Sequence, residues 1–174
     1  MFALGAVLVA LALAPADVHP ETASTSRCGA APTPDEILRY LNATRARGAV
    51  CHAPEALAAA LPLQWNTSLA AVAAAQAQEM AASNQLGHRD RQNRGLPERL
   101  GAMGYRFSAA AENVAVGYAS LDAVVDAWLG SESHCVNLMN SKVRELGLAC
   151  SDAGVTAGED RYWTLVLGAP PRGH

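Results

Sequence analysis

A run of six residues near the C-terminus restricts the fold more than any other feature of the chain. Residues 162–167 read YWTLVL, so apolar side chains occupy both of the alternating faces that a strand would present. A strand needs apolar side chains on both faces only when both sides of its sheet are covered. We therefore predict a strand over residues 161–168, in a sheet that lies between two layers of helices.

Two further strands are predicted over residues 111–118 and 143–151. The last two strands are separated by a loop of about ten residues with Gly and Asp, which suits an antiparallel pair. The predicted fold class is α+β, a three-layer α-β-α sandwich with a small, mainly antiparallel central sheet.

Four helices are predicted to cover this sheet. The first begins at a capping box between Thr33 and Glu36 and ends at Gly48, with Arg45 and Arg47 in its last turn, where positive charge is favourable. Its inner side carries Ile37, Tyr40, Leu41 and Thr44. The others cover an alanine-rich stretch at 68–83, a shorter segment at 92–104, and a helix capped by Ser120 that places Leu121, Val124, Val125 and Trp128 on one face.

The length of 174 residues and the net charge of −3 indicate a single domain without a nucleic-acid partner. Residues 1–16 carry no charged side chain and end in small residues, so they are predicted to be a signal peptide. A flexible linker at 17–32, the domain at 33–168 and a disordered tail at 169–174 follow. Because no Lys or Arg precedes the apolar run, an uncleaved anchor or a mis-assigned start codon stays open. We expect a secreted or periplasmic monomer with no stable transmembrane segment after processing.

Four cysteines, an even number, indicate disulfides in an exported domain. Of three possible pairings, we predict the sequential one, Cys28 with Cys51 and Cys135 with Cys150, because each closes a short loop. A metal site is the alternative, although the chain has no C-x-x-C spacing.

Several catalytic motifs are excluded by their context. The triplet at residues 88–90, HRD, lacks the other elements of a kinase, no G-x-S-x-G elbow holds a serine, and H-E-x-x-H is missing. What remains is a dispersed set of three polar residues, His88, Glu112 and His134. Two imidazoles and one carboxylate are the ligands of a three-ligand zinc site with an open position.

Five short motifs in order resemble a known family. They are LQWN at 63–66, GH at 87–88, AENVA at 111–115, WLGSESHCVNLM at 128–139, and YW at 162–163. Together they resemble a bacterial CAP domain, of the superfamily of cysteine-rich secretory proteins, antigen 5 and plant pathogenesis-related proteins. The resemblance spans about residues 33–168. A CAP domain is also called an SCP-like extracellular domain.

The resemblance implies an α-β-α sandwich with a shallow cleft lined by histidines and glutamates, which His88, Glu112 and His134 match. Many eukaryotic members have a fourth cleft residue, a glutamate three residues after the tryptophan. This chain has Ser131 at that position, so its set of four cleft residues is incomplete. The positions of Cys135 and Cys150 resemble those of bacterial relatives with a disulfide.

Three functional hypotheses follow, and the family does not select among them. The first is a non-enzymatic extracellular or envelope binding module, whose ligand is a protein, a lipid or part of the cell envelope and which requires no cofactor. The second is a site for Zn²⁺ or another divalent metal at His88 and His134, with Glu112 as third ligand or as base for hydrolysis. The third is a structural network in which Glu112 accepts a hydrogen bond from a histidine. The aromatic residues Trp128, Tyr162 and Trp163 are predicted to belong to the core.

Overall fold

The computed structural model describes residues 28, 31–51, 56–153 and 161–172. The predicted signal peptide and nearly all of the predicted linker lie outside these residues. The helices are α1 (Pro34–Arg47), α2 (Thr67–Ser83), α3 (Leu96–Ala102), α4 (Leu121–Leu129) and α5 (Glu132–Leu138), and the strands are β1 (Gln64–Trp65), β2 (Ala109–Val116), β3 (Glu145–Asp152) and β4 (Arg161–Ala169). None of the described helices is both long enough and apolar enough to span a bilayer.

The four strands form one mixed sheet in the order β1-β3-β4-β2. β4 lies at the centre and is antiparallel to both β2 and β3, whereas the two-residue β1 is parallel to β3. The mainly antiparallel sheet and the α+β class are therefore confirmed. The sequence pattern did not reveal β1, because two residues are too few to show alternation.

Alternate side chains of β4 enter different cores, as its doubly apolar pattern requires. On one face, Trp163, Leu165 and Leu167 pack in a cluster with residues of α1, α4 and α5. On the other face, Val166 packs with α2 and α3, and Tyr162 packs with Met80 of α2. Both sides of the sheet are covered, and Trp128 and Trp163 are fully buried core residues as predicted.

Local signals place the helices that carry the site. Thr33 and Glu36 form the predicted capping box, and Ser120 accepts a hydrogen bond from the backbone N–H of Ala123. The start of α2 approaches β3 so closely that a Cβ on Gly147 would lie 2.0 Å from the backbone N of Ala70. Glycine at this position therefore permits α2 to lie directly on the sheet.

The disulfide pairing differs from the sequential prediction, which was wrong. Cys28 is bonded to Cys150, with Cα atoms 6.3 Å apart, and Cys51 is bonded to Cys135, with Cα atoms 5.3 Å apart. Short loops minimise the entropy of closure, but a disulfide forms only where the fold brings two Cβ atoms together. Here Cys150 on β3 lies beside Cys28, and Cys135 on α5 lies beside Cys51, which follows α1.

The boundaries of other elements also differ from the sequence prediction. The short helix predicted over 92–104 is confined to α3, and a separate helix, α5, follows α4 after a brief break. β4 extends to Ala169, which is buried, so the strand includes the first residue assigned to the tail.

Candidate functional site

The candidate site is organised around a buried carboxylate on β2. The side chain of Glu112 is only 3% exposed, and each of its two oxygens has a partner. Oε1 lies 2.9 Å from Nδ1 of His88, and Oε2 accepts a hydrogen bond of 2.8 Å from Nη2 of Arg99. Glu112 therefore lies beneath the surface, between an imidazole and a buried guanidinium.

His88 is held by its backbone in the segment that joins α2 to α3. Nη2 of Arg99 donates a 3.2 Å hydrogen bond to the carbonyl of His88, and Nε2 of Gln76 donates one of 2.7 Å to the carbonyl of Gly87. The His88 side chain is 57% exposed even though Nδ1 faces Glu112. The fold thus fixes one ring nitrogen of His88 and leaves much of the ring in contact with solvent.

His134 is the third residue of α5, and two asparagines connect its backbone to β2. Nδ2 of Asn113 donates a 3.0 Å hydrogen bond to the carbonyl of His134, and Nδ2 of Asn137 donates one of 2.9 Å to Oδ1 of Asn113. Because Asn113 follows Glu112 on β2, this network positions α5 relative to the buried carboxylate. His134 itself is partly buried.

The two histidines have opposite pKa shifts. The hydrogen bond to Glu112 is the main reason that the pKa of His88 lies above its usual value of 6.5, although burial opposes the shift. For His134, burial is the main reason that the pKa lies below 6.5, and the positive charge of His88 lowers it further. His88 is therefore the more readily protonated of the pair, and its charge acts on His134.

The fourth predicted position, Ser131, is the N-cap residue immediately before α5. Its side chain makes no capping hydrogen bond, and the adjacent Glu132 is exposed in the first turn of α5. Among the residues that the structure describes, Ser131 forms no hydrogen bond or ion pair with Glu112 or with either histidine. The structure brings His88 and Glu112 into direct contact, with His134 close enough for the charge of His88 to affect it.

The contacts of Glu112 do not fit the three-ligand zinc site. Both of its oxygens are already engaged, and Nδ1 of His88 faces the carboxylate rather than open space. Across the described ranges, with their gaps, no group of three or more His, Cys, Asp or Glu side chains is arranged to hold a metal ion. Metal binding by His88 and His134 alone stays a prediction.

Sequence reasoning did not identify four residues that support the site: Gln76, Arg99, Asn113 and Asn137. The two asparagines lie within the motifs AENVA and WLGSESHCVNLM, Asn113 directly after Glu112 and Asn137 three residues after His134. Arg99 lies beside the apolar Leu100 on a short helix, and its burial became evident only from the packing of α3 near β2.

The profile of the cysteine-rich secretory protein family, CAP, matches residues 38–167. The chain is 31% identical over 101 residues to the uncharacterized membrane protein YlbC of Bacillus subtilis, an alignment that covers 58% of this chain and 29% of YlbC. The chain thus spans less than a third of the length of that relative.

Two solved structures are similar in fold. An extracellular protein containing a SCP domain, from Bacillus anthracis, has a TM-score of 0.62 and 25% identity, over 79% of this chain and 44% of that one. An outer surface protein from Borrelia burgdorferi has the same TM-score at 19% identity, over 81% of this chain and 98% of that one. The second similarity shows the fold alone.

Proposed function

The chain belongs to the cysteine-rich secretory protein family, CAP, and we propose that it is a non-enzymatic binding module that acts outside the cytoplasm. We propose further that His88 and His134 form the polar centre of its recognition surface. The ligand is a component of the cell envelope or a protein presented there.

The observation that supports this proposal is the burial of Glu112 together with its two hydrogen-bonded oxygens. A general base must reach the proton that it removes, and a metal ligand must offer an oxygen to the ion. The carboxylate of Glu112 is 3% exposed, and His88 and Arg99 engage its two oxygens. Glu112 is therefore suited to orient His88 and not to react with a substrate.

The surroundings of the histidines suit the binding of a macromolecule. Leu86 lies two residues before His88 and is 52% exposed. Apolar side chains beside polar groups that can donate hydrogen bonds are typical of protein recognition surfaces. We call Leu86, His88 and His134 the histidine surface.

A location outside the cytoplasm is supported by two observations. The solved neighbours include an extracellular protein and an outer surface protein. All four cysteines of the chain are paired, and disulfides persist in oxidising compartments. We propose secretion or retention in the periplasm.

A sedimentation assay tests the histidine surface. The purified domain is mixed with envelope fragments of the producing bacterium, and the fraction that sediments with the fragments is measured. We expect the double variant His88→Ala/His134→Ala to bind about tenfold more weakly, as when the central residues of an interface are truncated. The matched control is Gln85→Ala/Ser133→Ala, which changes two exposed polar neighbours and should bind like the wild type. Equal binding by all three proteins would contradict the proposal.

A zinc titration separates this proposal from the metal alternative. We expect no stoichiometric uptake of Zn²⁺ near neutral pH, measured by calorimetry and by elemental analysis after dialysis. Uptake of one ion per chain that is lost in the double variant would instead establish a metal site at His88 and His134.

A further inference from the structure

A cavity separate from the histidine surface lies between α2, α3 and the segment that joins them. Its volume is about 270 Å³, slightly below the usual range for small-molecule sites. Val72, Ala75, Ala102 and Met103 form its apolar walls, while Gln76 and Arg99 are polar residues that line it.

These two polar residues are buried, and neither is fully paired. Gln76 is 1% exposed and Arg99 is 5% exposed. Within the part of the chain that the structure describes, Oε1 of Gln76 and both Nε and Nη1 of Arg99 have no hydrogen-bond partner. Their other atoms are engaged, since Nε2 of Gln76 holds the carbonyl of Gly87 and Nη2 of Arg99 holds Glu112.

Buried polar atoms of native proteins nearly always have a partner, from the protein, from water or from a ligand. Here one unpaired acceptor and two unpaired donors belong to two residues that line the same cavity. A single group that both donates and accepts hydrogen bonds could satisfy both residues at once. Such a group would have to come from outside the chain.

The charges around the cavity favour a neutral ligand. Each charged residue at the rim already has a counter-ion, because Arg94 binds Asp90 at 2.8 Å and Arg91 binds Glu79 at 2.9 Å. Arg99 is paired with Glu112 in the same way. An added carboxylate would meet no uncompensated positive charge and would lie near two acidic residues.

We propose that this cavity binds a small neutral amphiphile, a primary amide or an alcohol with an apolar chain of about four to six carbons. The head group accepts from Arg99 and donates to Gln76, and the chain contacts Val72, Ala75 and Met103. The proposal is independent of the histidine surface and of its ligand.

Titration with hexanamide, followed by the backbone amide signals in NMR spectra, tests this proposal. We expect saturable shifts confined to α2, α3 and residues 87–95, with a dissociation constant on the order of 1 mM, as suits so few ligand atoms. Hexanoate, which is charged, and heptan-2-one, which only accepts hydrogen bonds, should each bind at least about tenfold more weakly.

Two variants on the outer side of α2 complete the test. Ala75→Leu places a larger side chain at the cavity and should weaken hexanamide binding at least about tenfold. Ala82→Leu makes the same change at an exposed position of the same helix that does not line the cavity, so it should leave binding unchanged.

Three results would overturn the proposal. They are a lack of saturable shifts with hexanamide, equal affinity of the wild type and Ala75→Leu, and a crystal structure at saturating hexanamide with only water between Gln76 and Arg99.

Discussion

Two arginines are buried in the described part of the chain, Arg45 on α1 and Arg99 on α3, and they are bound in different ways. Arg45 contacts only main-chain carbonyls, whereas Arg99 contacts a carboxylate and retains unpaired nitrogens. The first lies in the core of the fold, and the second lies at the candidate site.

Arg45 has a partner for every one of its side-chain nitrogens. Nε and Nη2 donate to the carbonyl of Leu61, and Nη1 donates to the carbonyls of Leu138 and Asn140. Burial lowers the pKa of Arg45 to about 10, with a smaller contribution from the charge of Arg144. The guanidinium therefore stays charged near neutral pH and joins the end of α1 to the following loop and to the end of α5.

The contrast shows how two buried cations can serve different purposes. When carbonyls satisfy all the nitrogens, the cation acts as a structural cross-link and offers nothing to a ligand. When part of the guanidinium is unpaired beside a cavity, as at Arg99, it can orient a carboxylate on one side and meet a ligand on the other. Three changes test this contrast, from the largest expected effect to the smallest.

The largest effect is expected from Glu112→Gln, which leaves Arg99 buried without its counter-ion. Removal of one partner from a buried pair is strongly destabilising, so we expect the free energy of unfolding to fall by about 4 kcal/mol. Urea denaturation measures it. Glu132→Gln, at an exposed position on α5, is the matched control and should cost below about 1 kcal/mol. An unchanged stability in Glu112→Gln would show that the contacts of Glu112 are not structural.

An intermediate effect is expected from Arg45→Met. The substitution fills similar space but leaves the carbonyls of Leu61, Leu138 and Asn140 without their donor, at a net cost of about 3 kcal/mol. Arg39→Met, at an exposed position of the same helix, should change stability by less than about 0.5 kcal/mol. If thermal denaturation shows the same stability for the two variants, the hydrogen bonds of Arg45 to these segments do not stabilise the fold.

The smallest effect is expected from a change of pH. Near neutral pH, such a change should alter the protonation of the histidines near Arg99 and leave Arg45 charged. NMR titration of the imidazoles should give a pKa above 6.5 for His88 and below 6.5 for His134. In His88→Gln, the pKa of His134 should rise, because the neighbouring charge is gone. A pKa of His134 that is the same in both proteins would mean that the two rings do not interact.

The sign of each contribution to stability follows from these directions. Because folding raises the pKa of His88, its contribution is fully present below pH 6.5 and is lost as the pH rises through the folded-state value. Because folding lowers the pKa of His134, its contribution is present above pH 6.5 and is lost as the pH falls through its own folded-state value. The two contributions therefore oppose each other, and His88→Gln should make the domain more sensitive to acid than the wild type.

The sequence was sufficient for features that depend on local pattern. The doubly apolar run of β4 predicted a sheet covered on both sides, and the side chains of Thr33 and Ser120 correctly marked the starts of α1 and α4. The family motifs also contain His88 and Glu112. These two residues are 24 positions apart in the sequence, and the fold brings them into contact.

Features that depend on packing between distant segments could not be predicted in this way. Arg45 was assigned to the favourable last turn of α1, yet it follows Ile37 and Leu41 at a spacing of four and continues their buried stripe. That spacing was a usable signal, but a positive charge argues against burial until its acceptors are known. The acceptors come from a loop and from the end of α5, which no local pattern connects to α1.

The two disulfides join residues 122 and 84 positions apart, and the intervals that they span overlap. A single peptide-bond cleavage anywhere between Cys28 and Cys150 therefore leaves two fragments that remain covalently attached. A protease that cuts one of the surface loops therefore releases neither fragment. The nicked chain would migrate at full size in a non-reducing gel and separate into two bands only after reduction.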